Sequence, residues 1–583
     1  MNTKFTSLNI CLLIVCPIIF GFCQKPKAKD QITPVKVASL PYTSGSRISW
    51  DNSSLKKVST GSGYNGYARL IQLNNGSLIC TYESDGNVLV VNSSDTGKTW
   101  SSPIIVAAKS EGVNMAVPDV LQLKDGSILI CYNPRPTSSA PEKKFAIRTK
   151  KSYDNGLTWT DSRLLYEAGY QFGNGCWEPA AIQLPNGEIQ LFFANEGVYT
   201  SSNEQNISLI RSLDNGLSWT NTPQIVSFRN GSRDGMPVPL LLKNGTDIVF
   251  AIEDNGFSDF KPYIIKNSLA ENWATIVDAS SNRRSYALSD KIAENIYAGA
   301  PFLRQLASGE TILSYQGTEG RENKLDFAEM KVVIGNEEAR SFNRKSSPFK
   351  IPASKSGLWN SLSVIEGNLV VALTSTNAFS SGSSEVWMIK GHVIPELQAI
   401  SEKIYVDGTF NEISWTSIFP IFVGHKGLTQ ATAQISSDAD FLYILTKVND
   451  QNIVTNASNV EESDGVSVFV HARDLTYNLP EKGVFKVFVS ADNKVVVKEG
   501  ENGNWAKREL GTVKSFTIKS DGFYRQEIAI PWQVLGGKPV SNSLIGFNFG
   551  LTENSGNVNL EYKETITTCL EMQPSTWMTL GIK

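Results

Sequence analysis

Three octapeptides recur at nearly constant spacing, and no other feature limits the architecture so strongly. They are Ser93-Ser-Asp95-Thr-Gly97-Lys-Thr-Trp100, Ser152-Tyr-Asp154-Asn-Gly156-Leu-Thr-Trp159 and Ser212-Leu-Asp214-Asn-Gly216-Leu-Ser-Trp219, with steps of 59 and 60 residues between their tryptophans. Ser268 to Trp273 is a degraded fourth copy. Ser and Asp suit such a segment to bonding its own turn, Gly accepts dihedrals closed to other residues, and Trp fills the gap between sheets. The role is structural. A second repeat runs out of phase with the first: an apolar strand, a turn carrying Gly, and another apolar strand. Its glycines are Gly76, Gly126, Gly187, Gly245, Gly309 and Gly367, at steps of 50, 61, 58, 64 and 58. ARLIQL-NNG-SLICTY and AAIQL-PNG-EIQLFF are hairpin patterns. Six hairpins predict an all-β fold, a six-bladed β-propeller over 46–395, whose radial closure protects its sheet edges. The strand around EVWMIKGHVI is expected to close the ring beside an N-terminal strand near Arg47 to Val58.

In such a blade the first strand lies nearest the axis and the second runs antiparallel to it. The start of strand one and the end of strand two therefore share one face of the disc. This places Arg69, Asp119, Trp177 with Glu178, Arg233 with Asp234, and Ala300 at one end of the axial funnel. Glu83, Asp85, Arg135, Glu196, Glu253 with Asp254, and Glu319 join them from the strand-two ends.

The chain has three histidines, His392, His425 and His471, and none in its first two-thirds. A Ser-His-Asp triad or a His-ligated zinc is excluded there. Carboxylates clustered without histidine point to glycoside hydrolysis, in which one carboxyl is protonated as acid and a second acts as nucleophile or base. Repulsion and partial burial separate their pKa values. Arginines among them suit hydroxyls or a sugar carboxylate, and Trp177 offers either a stacking face or a core side chain. The mechanism requires no metal or other cofactor. With 54 basic and 57 acidic residues and no basic run, nothing suggests nucleic acid as a partner.

The octapeptide is the Asp-box pattern of sialidase-like propellers. The segments GCWEPAAIQLPNGEIQLFFANE, SRDGMPVPLLL, VFAIED and YAGAPFL, in that order, further resemble glycoside hydrolase family 93, the exo-α-1,5-L-arabinanases. The resemblance spans roughly residues 60 to 330. It implies a retaining exo-hydrolase using Glu178 as acid/base and Glu253 as nucleophile, with Glu196 in reserve. Arg69, Asp119, Trp177, Glu196, Arg233, Asp234 and Asp254 are then the substrate-binding candidates. The sequence departs from the family at Phe250-Ala-Ile-Glu253 and at Val238 after Pro237. Two alternatives stand beside it. One is an exo-α-sialidase clamping a carboxylate through Arg69, Arg135 and Arg233. The other is a propeller that binds glycans without catalysis.

Lys4 and the apolar run from Ile10 to Phe22 read as a signal peptide over 1–23, followed by a Lys- and Pro-rich tether over 24–45. Cleavage after Cys23 predicts a secreted or periplasmic protein, and acylation of Cys23 an outer-membrane lipoprotein. No second hydrophobic span follows, and a monomer is expected. Cys80, Cys131, Cys176 and Cys569 show no metal spacing, and a Cys80–Cys131 disulfide is open.

Beyond Pro395 the repeats stop. Alternating apolar residues in DFLYILTKVND, DGVSVFVHARD and SLIGFNFGLTEN predict a β-sandwich over 400–583. Their order resembles family 9 carbohydrate-binding modules, which implies a sugar ligand. Trp415 and Trp532 read as core, and Trp505 and Trp577 as further candidate platforms.

Overall fold

The structure, a computed structural model, describes residues 36–37 and 47–582 apart from 200, 366–368, 381, 395–396, 413–420, 425–428, 473–475, 510–511, 541–542, 555, 557–560 and 567–568. The expected leader, most of the tether, Gly367, Trp415 and His425 lie outside the described residues. Within the tether, Lys36–Val37 pairs antiparallel with Thr476–Tyr477 of the sandwich.

Six four-stranded antiparallel sheets form the propeller, and each innermost strand meets those of the blades before and after it. From the axis outward, the first blade is Asn65–Gln72, Leu78–Ser84, Asn87–Ser93 and Ile104–Ala107. The next four begin at Val113–Gln122, Cys176–Gln183, Asp234–Leu241 and Ala298–Gln305. The sixth comprises Leu358–Ile365, Leu369–Thr376, Glu385–Ile394 and, outermost, the N-terminal Arg47–Lys57. That last pairing runs from Arg47 opposite Ile394 to Lys57 opposite Trp387, so the ring closes as expected.

The second strands, such as Ile189–Asn195, are buried throughout because blades cover both faces. This explains their unbroken apolar runs. The Asp boxes act as turn locks. Ser93 Oγ accepts from Gly97 N at 2.8 Å, and Asp95 accepts from Thr99 N at 2.9 Å and Thr99 Oγ1 at 2.6 Å. These bonds, led by that of the Thr99 hydroxyl, hold the Asp95 carboxyl well below its usual range. Gly97, Gly156 and Gly216 have φ of 84°, 88° and 82°, where a side chain is strained. The boxes also join blades: Trp273 is fully buried against Phe192 and Phe250, and its indole donates to Gln190 at 3.0 Å.

A glutamine ending the inner strand makes a second junction. Gln183 Nε2 donates to its own turn at Gly187 O (2.9 Å), while Gln183 Oε1 accepts Lys124 N of the preceding blade (2.7 Å). Gln122 and Gln305 repeat the arrangement.

The C-terminal strands form two sheets joined through Leu397–Ser401, which pairs parallel with Met578–Ile582 on one side and Gln430–Ser437 on the other. Ile435, Leu442 and Ile444 of one layer pack with Val468, Phe547 and Leu580 of the other around a single core. Cys80, Cys131, Cys176 and Cys569 are buried free thiols, so Cys80 and Cys131 form no disulfide. Among the described residues no helix is long and apolar enough to cross a membrane.

Candidate active site at the propeller axis

Every inner strand carries a β-bulge at the same register. One residue of each bulge has left-handed φ: Tyr67 (52°), Val117 (44°), Glu178 (45°), Met236 (52°), Ala300 (47°) and Trp359 (53°). A non-glycine residue is uncommon there and costs on the order of 1–3 kcal/mol. Six repeats show that the blade architecture imposes the strain, and its effect is to crowd six side chains around the axis. Tyr67, Val117, Met236 and Ala300 form a buried apolar cluster with Ala116, and Trp359 packs on it. Glu178 is the ring's single carboxylate.

The second strands supply a matching set of positions. Glu83 lies opposite Gly66, Glu253 opposite Gly235, and Gln316 opposite Gly299. Each accepts the N–H of the next blade's ring residue. Glu83 Oε2 takes Val117 N (3.4 Å), Glu253 Oε2 takes Ala300 N (2.8 Å), and Gln316 Oε1 takes Trp359 N (2.8 Å). Glu253 sits between two glycines. A Cβ on Gly299 would lie 2.7 Å from its Oε2, and one on Gly235 3.0 Å from its Oε1. The glycines of RDGMP and AGAP thus make room for this carboxyl.

Glu178 and Glu253 have contrasting surroundings. Burial holds the Glu178 carboxyl above its usual range, although Arg135 opposes the rise, with Nη2 2.8 Å from Glu178 Oε1. Arg233 and Arg69 pull the same way. Burial pushes Glu253 up to about 7; the Ala300 N–H opposes the rise and the Glu178 charge adds to it. The two carboxyls are therefore close enough to feel one another. Glu83 is a third recessed carboxyl, raised by burial and lowered by Arg135.

The other expected site residues divide into three groups. Arg135 and Arg233 reach the carboxylates. Arg135 Nε donates to Asn133 Oδ1 (2.7 Å), and its guanidinium lies 4.9 Å from the Trp177 ring. Arg233 pairs with Glu196 (2.5 Å) and donates to Gln205 Oε1 (2.9 Å). Trp177 and Glu196 support them. The Trp177 indole donates to Glu196 Oε2 at 2.8 Å and packs between Phe145 and Phe172. Trp177 is 5% exposed, so it is a core side chain rather than a platform. Both Glu196 oxygens are engaged, one by Arg233 and one by the Trp177 indole.

The remaining four are buried away from any ligand. Arg69 and Asp119 lie two residues further along their strands than Tyr67 and Val117, past the bulge. Arg69 donates to Ala68 O and covers Phe302, which Arg304 flanks on its other contact; Asp119 accepts Ala181 N. Burial lowers Arg304 to about 10. Asp234 and Asp254 have no exposed surface. Arg284 bridges them, with Nη1 2.8 Å from Asp234 Oδ2 and Nη2 2.5 Å from Asp254 Oδ2, and Arg229 completes the cluster. The cluster ties strands of the fourth blade together beneath its surface. Glu319 is likewise held, by Tyr315 (2.7 Å) and Lys345 (2.8 Å).

In the sandwich, Trp532 and Trp577 are core. Trp505, expected to be more exposed, is partly buried against that core, beside Phe469 at 6.1 Å. The sequence reading missed one cluster. Asp450, Asp464 and Glu553, all buried, bring one oxygen each within 4.8 Å of one another. Asp450 Oδ2 has no hydrogen-bond partner. Burial, opposed by the Val454 and Asn554 N–H groups, pushes Asp464 up to about 8. All-oxygen carboxylate sets of this kind suit a hard divalent cation.

Residues 404–578 match the family described as carbohydrate family 9 binding domain-like. The chain is 28% identical over 210 residues to endo-1,4-beta-xylanase A of Thermoanaerobacterium saccharolyticum, a stretch covering 34% of this chain and 17% of that protein. The chain thus spans about a sixth of that relative's length. Among solved structures, the alpha-L-arabinofuranosidase of Fusarium graminearum with an iminosugar inhibitor shares 16% identity, with a TM-score of 0.43 over 57% of this chain and 97% of that one. A family 9 carbohydrate-binding module of Caldicellulosiruptor kristjanssonii with cellotriose shares 18% identity and a TM-score of 0.27 over 32% and 93%.

Proposed function

We propose that the protein is an exo-acting, retaining glycoside hydrolase whose site is the Glu178–Glu253 pair, with the C-terminal module holding it to a glycan. The observation that carries this reading is the different setting of two recessed carboxyls, one paired with a guanidinium and one held only by a backbone N–H and pushed up to about 7. That is what an acid and a nucleophile require at one pH. The environments favour roles opposite to those the family resemblance implies. Glu178, ion-paired with Arg135, serves as nucleophile. Glu253, pushed up to about 7, holds the proton for the leaving oxygen and then receives one from water as base.

The arrangement also favours a neutral sugar over a sialic acid. Arg135 and Arg233 are neutralised by Glu178 and Glu196, and Arg69 is buried beneath the ring. None is left to clamp a carboxylate. Burial holds the Tyr67 phenol far above its usual range, against a tyrosinate nucleophile. Linear α-1,5-arabinan is the first substrate to test, with a monomeric protein exported from the cytoplasm as the working form. Arabinobiose released from the chain end supports the reading. Sialic acid released from a sialylated glycan would replace it with the sialidase, and binding without hydrolysis with a glycan-binding propeller.

A further inference from the structure

Of the six ring residues only Glu178 and Trp359 keep appreciable exposure. They belong to the third and sixth blades, which face each other across the axis of a six-membered ring. Trp359 is anchored on three sides. One face stacks on Tyr67 at 4.4 Å and 16°. Its backbone N–H donates to Gln316 at 2.8 Å, and its side chain lies beside that of Tyr64. Tyr64 is itself tied through its N–H to Asp85 at 2.8 Å. The open surface of the indole therefore belongs to the face turned from Tyr67, and it is rigid before any ligand arrives.

We propose that Trp359 is the stacking platform for a neutral sugar ring of the substrate, braced by Tyr67 and Tyr64 and set across the axis from Glu178. The apolar C–H face of a sugar is what an uncharged aromatic face fixed in a polar cleft receives. The proposal rests on the glycosidase reading of the same site and adds which residue holds the sugar. It also assigns to the sixth blade the role first sought in Trp177, whose indole is consumed by Glu196.

The test labels the full-length protein with 5-fluorotryptophan and identifies the Trp359 resonance by its loss in Trp359→Phe. Linear arabino-oligosaccharide, xylo-oligosaccharide and sialyllactose are titrated separately, and hydrolysis is assayed in parallel. The Trp359 resonance is expected to shift with a neutral oligosaccharide while that of Trp177 stays. Trp359→Leu, which keeps the cover over Tyr67, is expected to raise KM about tenfold with less change in kcat. Trp359→Phe is expected to recover most of that loss. Hydrolysis with an unmoved Trp359 resonance and an unchanged KM overturns the platform and leaves the glycosidase reading standing. A shift without hydrolysis keeps the platform and overturns that reading. A resonance unmoved by all three sugars, with no turnover, overturns both.

Discussion

Glu253 of the fourth blade accepts the backbone N–H of Ala300 in the fifth at 2.8 Å, and so joins two blades while standing at the axis. Gln316 makes the equivalent bond one blade on without a charge. Glu253→Gln should therefore preserve the junction, leaving the melting temperature within about 3 °C, and lower kcat by about a thousandfold. Equal loss of stability and activity would mean the carboxyl is structural.

The pH profile separates the two role assignments. A carboxyl raised to about 7 and acting as acid must be protonated, so kcat/KM should fall as pH rises through about 7. If Glu253 were the nucleophile, activity would instead rise across the same interval. Glu253→Gln should abolish that limb in whatever activity remains.

Gly299→Ala places a methyl 2.7 Å from Glu253 Oε2 and 2.6 Å from the Tyr297 hydroxyl. The carboxyl must move, and displacement on the order of 1 Å is expected to cost up to about a hundredfold in kcat. Gly320→Ala, where nothing lies within 4 Å, is the contrast for side-chain contact, though its φ of 74° adds backbone strain. Wild-type kcat in Gly299→Ala would refute the cradle.

Arg284→Met removes the cation that bridges two buried aspartates, leaving Asp254 with Arg229 and Asp234 with no cation among the described residues. Breaking a buried ion cluster this way is expected to cost about 3–5 kcal/mol, measured as a lower denaturant midpoint. A midpoint matching wild type would show that the cluster is not what holds the fourth blade.

Calcium at millimolar concentration, added to chelator-treated full-length protein, should raise its melting temperature by about 5 °C or more through Asp450, Asp464 and Glu553. Asp464→Asn should remove the increment. Superimposed melts with chelator and with calcium would rule the site out.

The blades were legible in the sequence because their signals are local. A Ser-x-Asp-x-Gly turn or a Gly hairpin is decided by a few adjacent residues. The ring closure followed from counting strands. The axis was harder, since a strand's side chains alternate and one residue changes the face. Glu253 accepts the N–H of a ring residue, while its neighbour Asp254 turns into a buried cluster; Glu178 faces the axis, while Trp177 packs into the blade. Arg69 and Asp119 were placed too high by two residues. Pro118, Pro179, Pro237 and Pro301 each follow a ring residue and mark the register in four blades. Trp359 escaped because its blade has Asn360 at that position. The carboxylate triad escaped because Asp450, Asp464 and Glu553 are brought together only by packing of three separate strands' ends.

The strand that closes the ring, Arg47–Lys57, also meets the sandwich, where Gln430 donates to Asp51 at 2.9 Å. Trp50 shares a cleft with Phe422 and Val423 there. A circular array of sheets opens most readily at the seam between its first and last segments, and here a second folded body is seated on that seam. The module follows directly on Glu385–Ile394 and touches Asp51 of its partner strand, so a pull on the module reaches both strands of that seam. The hold of the ring and the seating of the module thus meet in one interrupted ladder, paired at Arg47–Asp51 and again at Lys56–Lys57.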